Sequence, residues 1–468
     1  MFNQLMNSAR VGVDYTRDAS GNITGLVVGY GATYDIRHQA QIPGGIWCDW
    51  STYNGTLAMV STDAADDIAL DTSVMLDGLP SVKCTFTSAA SGTFIADYTF
   101  TNAISLKDFR TIQVPLRITG IDSGNTGGVA TGSTPFQLWL TLSGGGTVRL
   151  QCDANNVPPN TWQVFSWSRE SPSGLVTFAG GATAWSDLDS QTITKIRIVQ
   201  ATGAATSNAY PVWIGPVRCD AQAMGHVSIV MDGTHISQYT ILKPLLDAYG
   251  FKTSLAIVNS FIGSSADYMT LAQVQQMYDE GHECIHHTYD GTKQNGYINA
   301  TDWTSAAAIS NDIRAQWEYF KDRGWTRGIG KAVNAFVSPF TASATAARHK
   351  LMYAAMKAAG VECSRASTNL YTTQVPLGYK GVTPFHLRGA IQITNTTTAA
   401  DVQTIIDQAE ANGEWAIITV HRAVASSPGS LEMTTANFAT WLSYLKTRVN
   451  AGNIRVAPMG EVYDRYFK

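Results

Sequence analysis

Residues 227–259 read VSIVMDGTHISQYTILKPLLDAYGFKTSLAIVN. The short apolar stretch SIVM is followed by QYTILKPLLDAYG, whose apolar residues recur at helical spacing and stop at Gly250, and then by a second apolar stretch, SLAIVN. The pattern is strand, helix, strand. It repeats downstream: TLAQVQQMYDEG is a helix stopping at Gly281, SAAAISNDIRAQWEYFKDRG a helix, AVNAFV a strand, TAARHKLMYAAMKAAG a helix, EWAIITV a strand, and ANFATWLSYLKTRVNAG a helix ahead of RVAPMG. Strands alternating with helices that close on Gly predict parallel β/α units, open or closed into a barrel. In such folds chemistry sits at the C-terminal ends of the strands and in the loops after them.

Upstream of about residue 222 the pattern changes. Short β-branched and aromatic stretches such as FQLWLTLSGGGTVRLQCDANN, WQVFSWSRESPSG and ITKIRIVQATG alternate with turn clusters of Gly, Ser and Asn. Period-two alternation in short strands predicts an antiparallel, jelly-roll-like β-sandwich over residues 46–222. Residues 1–45 contain DYTRDASGNITGLVVG, a strand, turn and strand that reads as a small attachment element. A hairpin of that size is not stable alone and must pack on this chain or on a partner. The expected fold is therefore multidomain: the N-terminal element, the sandwich, and a β/α domain over 223–468.

Composition narrows the function. Charged residues make up only 15% of the 468, against a usual share of about 25%, while hydrophobic residues reach 44% and Gly numbers 41. The net charge is −4 and there is no Lys/Arg run, so neither nucleic acid nor an anionic membrane surface is an expected partner. Neutral polymers such as glycans fit better. The 12 Trp and 19 Tyr offer flat faces for sugar rings, although core packing is their ordinary fate. Cys48, Cys84, Cys152, Cys219, Cys284 and Cys363 are scattered without a CxxC, which predicts free buried thiols rather than a disulfide framework or zinc knuckle. The start, MFNQLMNSARVGVDYTRD, has no signal-peptide pattern, and no run of about 18 apolar residues occurs, so neither the common secretory route nor membrane insertion is expected.

Eight of the nine histidines lie at or beyond His226, so the β/α domain holds nearly all groups that titrate near neutrality. Asp232 ends SIVM, His286 and His287 sit in GHECIHHTYDGT (281–292), and His421 ends WAIITV. If these strands are parallel, Asp232, His287 and His421 project into one face. In an extended segment His286 points away from His287.

Taken in order, SIVMDGTH with its helix, AYGFKTSLAIV, GHECIHHTY, the FVSPF segment, AIITVH and VAPMGEVYDRYF resemble the polysaccharide deacetylases, carbohydrate esterases with a distorted, incomplete β/α barrel. The resemblance covers about residues 224–468 and leaves out the sandwich. It implies a first motif, Thr-Phe-Asp-Asp-Gly, with a general base followed by a metal ligand, and a second, His-Ser/Thr-x-x-His, with two metal-binding histidines. The ungapped register puts Asp232 on the base, Gly233 on the metal aspartate, His287 on the first metal histidine and Gly291 on the second. A one-residue shift makes Asp232 the metal ligand and puts Met231 at the base; the ungapped register is preferred because it keeps Met231 on the apolar Phe position. His421 matches the general acid. The family's Arg-Pro-Pro-like segment reads Val337-Ser338-Pro339-Phe340, without its arginine, which leaves Arg365 and Arg388 as candidates to approach the site.

The resemblance implies Zn²⁺ or another divalent ion, which needs about three protein ligands at a catalytic site. His287 and Asp232 are the expected donors, with His235 or Asp290 to complete the set. Asp232, His421 and His287 are the expected catalytic residues; Asp290, His235, Ser338 and Arg365 the expected substrate-binding ones. The implied activity is removal of acetyl groups from an acetylated bacterial surface polysaccharide. Two alternatives stand beside it. One is a metal-free glycosidase pairing Asp232 with Asp290 or Glu283, and the other is a retired enzyme that only binds glycan. The overall architecture resembles a bacteriophage tail spike or fibre, which implies a virion or extracellular location and a homo-oligomer, with a trimer as the usual form.

Overall fold

The computed structural model describes residues 224–290, 303–333, 346–365, 387 and 389–467, and upstream of them chiefly the strands named below with their short turns. The chain forms two compact units, Met1–Trp47 and Cys48–Lys468. The first unit holds three antiparallel strands, Val13–Arg17, Ile23–Val28 and Ala32–Asp35, paired in chain order. The sandwich and the β/α domain lie together in the second.

The sandwich begins with a six-stranded sheet in the order Val176–Ala179, Thr147–Cys152, Phe136–Leu142, Thr192–Ala201, Thr93–Ser105, Gly55–Met59. Along FQLWLTL (136–142), buried and partly exposed residues alternate strictly, so this sheet has one face in the core and one face outward. The second sheet is built on Thr111–Ile118, which pairs with Trp162–Ser168, Val212–Ile214 and Val217–Cys219, and continues through Leu79–Thr85 to Asp67–Leu76. Its central residues show no alternation: Thr111, Ile112, Gln113, Val114 and Leu116 are all buried. Both of its faces are covered. One packs on the first sheet, where Trp167 Nε1 donates to Gln151 O at 2.9 Å. The other meets the β/α domain, where Ser166 Oγ donates to Glu414 Oε1 at 2.7 Å and Asn412 Nδ2 donates to Glu414 Oε2 at 3.2 Å. The seam is polar and buried; Glu414 is 1% exposed.

The main sheet of the β/α domain has, among the described residues, eight parallel strands: β1 Gly225–Asp232, β2 Ser254–Val258, β3 Glu283–Thr288, β4 Lys331–Val333, β5 Cys363–Arg365, β6 Ile391–Gln392, β7 Trp415–Val420 and β8 Ile454–Val456. Their order is β5-β4-β3-β2-β1-β7-β6, with β8 pairing the start of β1, so the sheet is curled and, among the described residues, open between β5 and β6. Helices Leu271–Asp279 and Ala399–Asn412 start on reciprocal caps, Thr270 with Gln273 and Thr398 with Asp401. Gly250 and Gly413 close helices in the left-handed conformation.

Strand parity sorts the core in two. Val227, Ile229, Met231, Leu255, Ile257, Ala416 and Ile418 face the helices. Val230, Ala256, Ile285, Cys363 and Ile417 face inward onto the C-terminal helix Met459–Tyr466 through Met459, Val462 and Tyr463. That helix is pinned by Glu283, whose buried carboxylate accepts from Ser254 Oγ at 2.5 Å and Gly460 N at 2.8 Å. Of the expected strand AVNAFV, Lys331–Val333 is strand and the rest lies outside the described residues. No described helix is long and apolar enough to cross a membrane.

Candidate active site

Continuing the inward parity one step along each strand leads from Val230 to Asp232, from Ile285 to His287 and from Cys363 to Arg365, and on β7 from Ile417 through Thr419 to His421. All four side chains sit just above the apolar plug, at the C-terminal edge of the parallel sheet. All are buried: Asp232 is 5% exposed, His287 1%, Arg365 2% and His421 6%.

Arg365 Nη2 donates to Asp232 Oδ2 at 2.6 Å, and His421 Nε2 lies 3.9 Å from the same oxygen. Asp232 Oδ1 and His421 Nδ1 are buried without a hydrogen-bond partner among the described residues. A carboxylate oxygen and an imidazole nitrogen are thus left for a ligand. Buried polar atoms of this kind cost stability unless something else satisfies them.

Local backbone features aim these groups. Between β2 and β3 the register jumps from Ile257 opposite His286 to Val258 opposite Thr288, so His287 is the extra residue of a β-bulge. His286 faces the helices and is fully buried. After Asp232 the chain turns sharply, with Gly233 at φ 92° and Thr234 at φ 60°, the latter unusual for a β-branched residue. Thr234 is held there by bonds from Val258 N to its Oγ1 and from Met269 N to its carbonyl. The following helix opens with a π-helical turn, Gln238–Leu242. Gln238, fully buried, donates from Nε2 to both Asp232 O (2.7 Å) and His421 O (2.9 Å) and ties the two strand ends together.

Burial raises the Asp232 carboxyl, but the charge of the Arg365 guanidinium and its hydrogen bond outweigh burial and hold the group below its ordinary value. Burial drives the imidazoles the other way. His287 falls to about 4 despite the pull of Asp232, and His421 is lowered as well. At neutral pH the site is one carboxylate, one guanidinium and two neutral imidazoles. Burial also depresses His226, His282, His286 and His235, to about 4, 4, 3 and 3. A histidine kept neutral stabilises the fold above the ordinary imidazole value of 6.5. As pH falls from there toward 4, the unfolded chain takes up protons that the fold refuses. The melting temperature is therefore expected to fall steadily between pH 7 and about 4.5, followed by circular dichroism. A flat profile would mean that these imidazoles are hydrated.

The other sequence candidates fall elsewhere. His235 stands at the rim, partly exposed, stacked on Tyr268 with centroids 5.3 Å apart, its Nδ1 accepting from Arg422 Nε at 3.2 Å. Asp290 follows the end of β3, where its backbone N–H donates to Asp312 Oδ1 at 3.3 Å. Ser338, Gly291 and Arg388 lie outside the described residues. Glu283, weighed as a second carboxylate, lies toward the other end of β3 and is occupied by the C-terminal helix. Gln238 gave no sequence signal, because an amide in the first turn of a helix reads as surface.

Among the described residues no three His, Cys, Asp or Glu side chains gather as a cation-holding group. The Arg365 cation already holds one oxygen of Asp232. At 233, a Cβ would lie 2.9 Å from His235 Nε2, on a backbone that disfavours any side chain, so an aspartate there meets both obstacles. The described residues do not fit the implied metal set.

No protein-family profile matches the chain, and no curated protein does. Among solved structures it is similar to a family 4 acetyl xylan esterase from Clostridium thermocellum, at 17% identity and TM-score 0.28, over 51% of this chain and 91% of that one. It is similar also to the Xyl-CE4 domain of a multidomain xylanase from the hindgut metagenome of Trinervitermes trinervoides, at 13% identity and TM-score 0.29, over 52% and 90%. An exo-β-agarase matches at 14% identity and TM-score 0.25, over 36% of this chain and only 23% of its own length. At these TM-scores the likenesses carry neither fold nor activity over to this chain.

Proposed function

We propose that the β/α domain is a carbohydrate esterase that removes O-acetyl groups from a polysaccharide. The observation that carries this reading is the buried group Asp232, Arg365, His287 and His421, drawn from four strands to one sheet edge, with Asp232 Oδ1 and His421 Nδ1 left unpartnered among the described residues. Buried titratable groups perturbed by desolvation together with a specific charge partner are the kind of arrangement that reactive sites use.

The chemistry follows from the charges. Asp232 is ionised and oriented by Arg365, so it takes the proton of a water attacking the acetyl carbonyl carbon. Arg365 and His287 supply the positive and polar surroundings for the developing oxyanion. As the bond to the sugar oxygen breaks, the leaving alkoxide is reprotonated from the Asp232–His421 pair, whose facing atoms are 3.9 Å apart. The products are acetate and the free hydroxyl. An alkoxide leaves with less help than an amine, so an ester suits a site whose own residues offer one base and one acid.

The test is acetate release from an O-acetylated and an N-acetylated polysaccharide, with and without chelator, beside elemental analysis of the purified protein. Chelator-resistant release from the ester substrate alone is the expected result. Release that needs zinc would mean that residues beyond the described ones complete a metal site. No release from either substrate would favour the glycan-binding reading, whose one supporting observation is that Arg365 already engages the carboxylate that should act as base.

A further inference from the structure

We propose that the outward face of the six-stranded sandwich sheet binds an anionic glycan strand, one carrying uronate carboxylates, with Arg149 taking the carboxylate. The proposal does not depend on the barrel chemistry and survives its failure.

Strand register assembles the face. Trp139 lies opposite Arg149 on one side and Arg197 on the other, Arg149 lies opposite Thr177, and Arg197 opposite Asp97. One continuous row thus crosses five strands, with spacings of about 4.8 Å. The row above it holds Thr147, Thr141, Lys195 and Thr99, and the row below Gln151 and Gln137. These are the positions that alternate outward along FQLWLTL and its neighbours.

The charges on this face are unequal. Asp97 takes Lys195 Nζ at 2.9 Å and Arg197 Nε at 2.6 Å. Arg149 has no carboxylate partner among the described residues, and its Nε makes no hydrogen bond. Its guanidinium lies over the Trp139 ring, 4.1 Å from the centroid, which holds it flat and in place. Among the described residues of this face, three cations stand against one carboxylate, in a chain whose net charge is −4, and form a local patch that favours an anion.

The polar groups beside it favour a sugar. Trp139 Nε1 donates to Gln137 Oε1 at 2.6 Å, which leaves the Gln137 amide donors outward. Gln151 Nε2 donates to Thr177 Oγ1 at 3.2 Å, which leaves the side-chain oxygen Oε1 of Gln151 as an acceptor. Fixed amides, hydroxyls and a ring on rigid strands suit a hydroxyl-rich chain. A planar guanidinium suits the fork of a carboxylate.

The experiment is calorimetric titration of the full chain with polygalacturonate oligosaccharides, their methyl esters and oligothymidylate, at low and high salt. Binding of the free acid is expected, weakened by salt, with the methyl ester at least about tenfold weaker. Arg149→Gln and Trp139→Ala should each lower affinity for the acid by about tenfold or more, while acetate release from a small ester stays at the wild-type rate. Equal affinity for the methyl ester, or none for the acid, would overturn the proposal. So would full affinity in Arg149→Gln, which keeps a polar side chain should the Trp139 variant fail to fold. Equal binding of oligothymidylate would mark a general polyanion surface, and a change in sedimentation mass in either variant would assign the face to a second copy of the chain.

Discussion

Asp232→Asn is expected to lower kcat/KM for acetate release by about 10³-fold, the middle of the range for loss of a general base and equivalent to about 4 kcal/mol of transition-state stabilisation. The amide cannot take the proton of the attacking water, although it keeps the shape and one acceptor oxygen for Arg365. His421 does not replace it, because burial lowers that imidazole and its Nε2 lies 3.9 Å from the carboxylate rather than bonded to it. The same change removes the carboxylate charge that faces the buried guanidinium of Arg365, 2% exposed, so a fall in melting temperature should accompany the loss of rate. Kinetics must therefore be read at a temperature where circular dichroism shows the variant folded. Acetate release within a few-fold of wild type under that condition would remove Asp232 from the mechanism.

The sequence made some of this site legible and hid the rest for identifiable reasons. The strands β1, β2 and β7 are apolar runs of five to eight residues ending at or just before a polar group, so period-two reasoning alone puts Asp232 and His421 at one sheet edge. Helices that close on Gly gave the β/α alternation. In contrast, β5 and β6 have three and two residues, too short for any periodicity, and the helix Ala399–Asn412 between β6 and β7 is not among the expected ones. Arg365 was a candidate only for substrate, because nothing local in CSRAS signals a partner 133 positions away. The bulge at His287 and the Gln238 clamp are properties of strand pairing and helix entry that single-sequence patterns do not encode. In the sandwich, alternation along FQLWLTL was plain, but which face of which sheet would be covered depended on the β/α domain packing against Ser166 through Glu414.

Arg365→Met is expected to cost about 3–5 kcal/mol of stability, the usual effect of stripping one partner from a buried ion pair. It is also expected to move the acid limb of the pH–rate profile upward. Both follow from the same balance. Burial pushes the Asp232 carboxyl above its ordinary 3.8, and the neighbouring guanidinium reverses that push. While the folded value stays below the unfolded one, the carboxylate contributes stability that is present above the unfolded pKa and is lost as pH falls through the lowered folded value. With Met at 365 burial prevails, the folded value rises, and protons bind the base at a higher pH than in the wild type. The double variant Asp232→Leu with Arg365→Met separates structure from chemistry, since replacing both ions by apolar groups of similar volume is commonly neutral or stabilising. It should recover most of the melting temperature lost in Arg365→Met and none of the activity. If Arg365→Met instead melts with the wild type and keeps its acid limb, the 2.6 Å contact does not control the charge of Asp232, and the base of this site must be sought among His287 and His421.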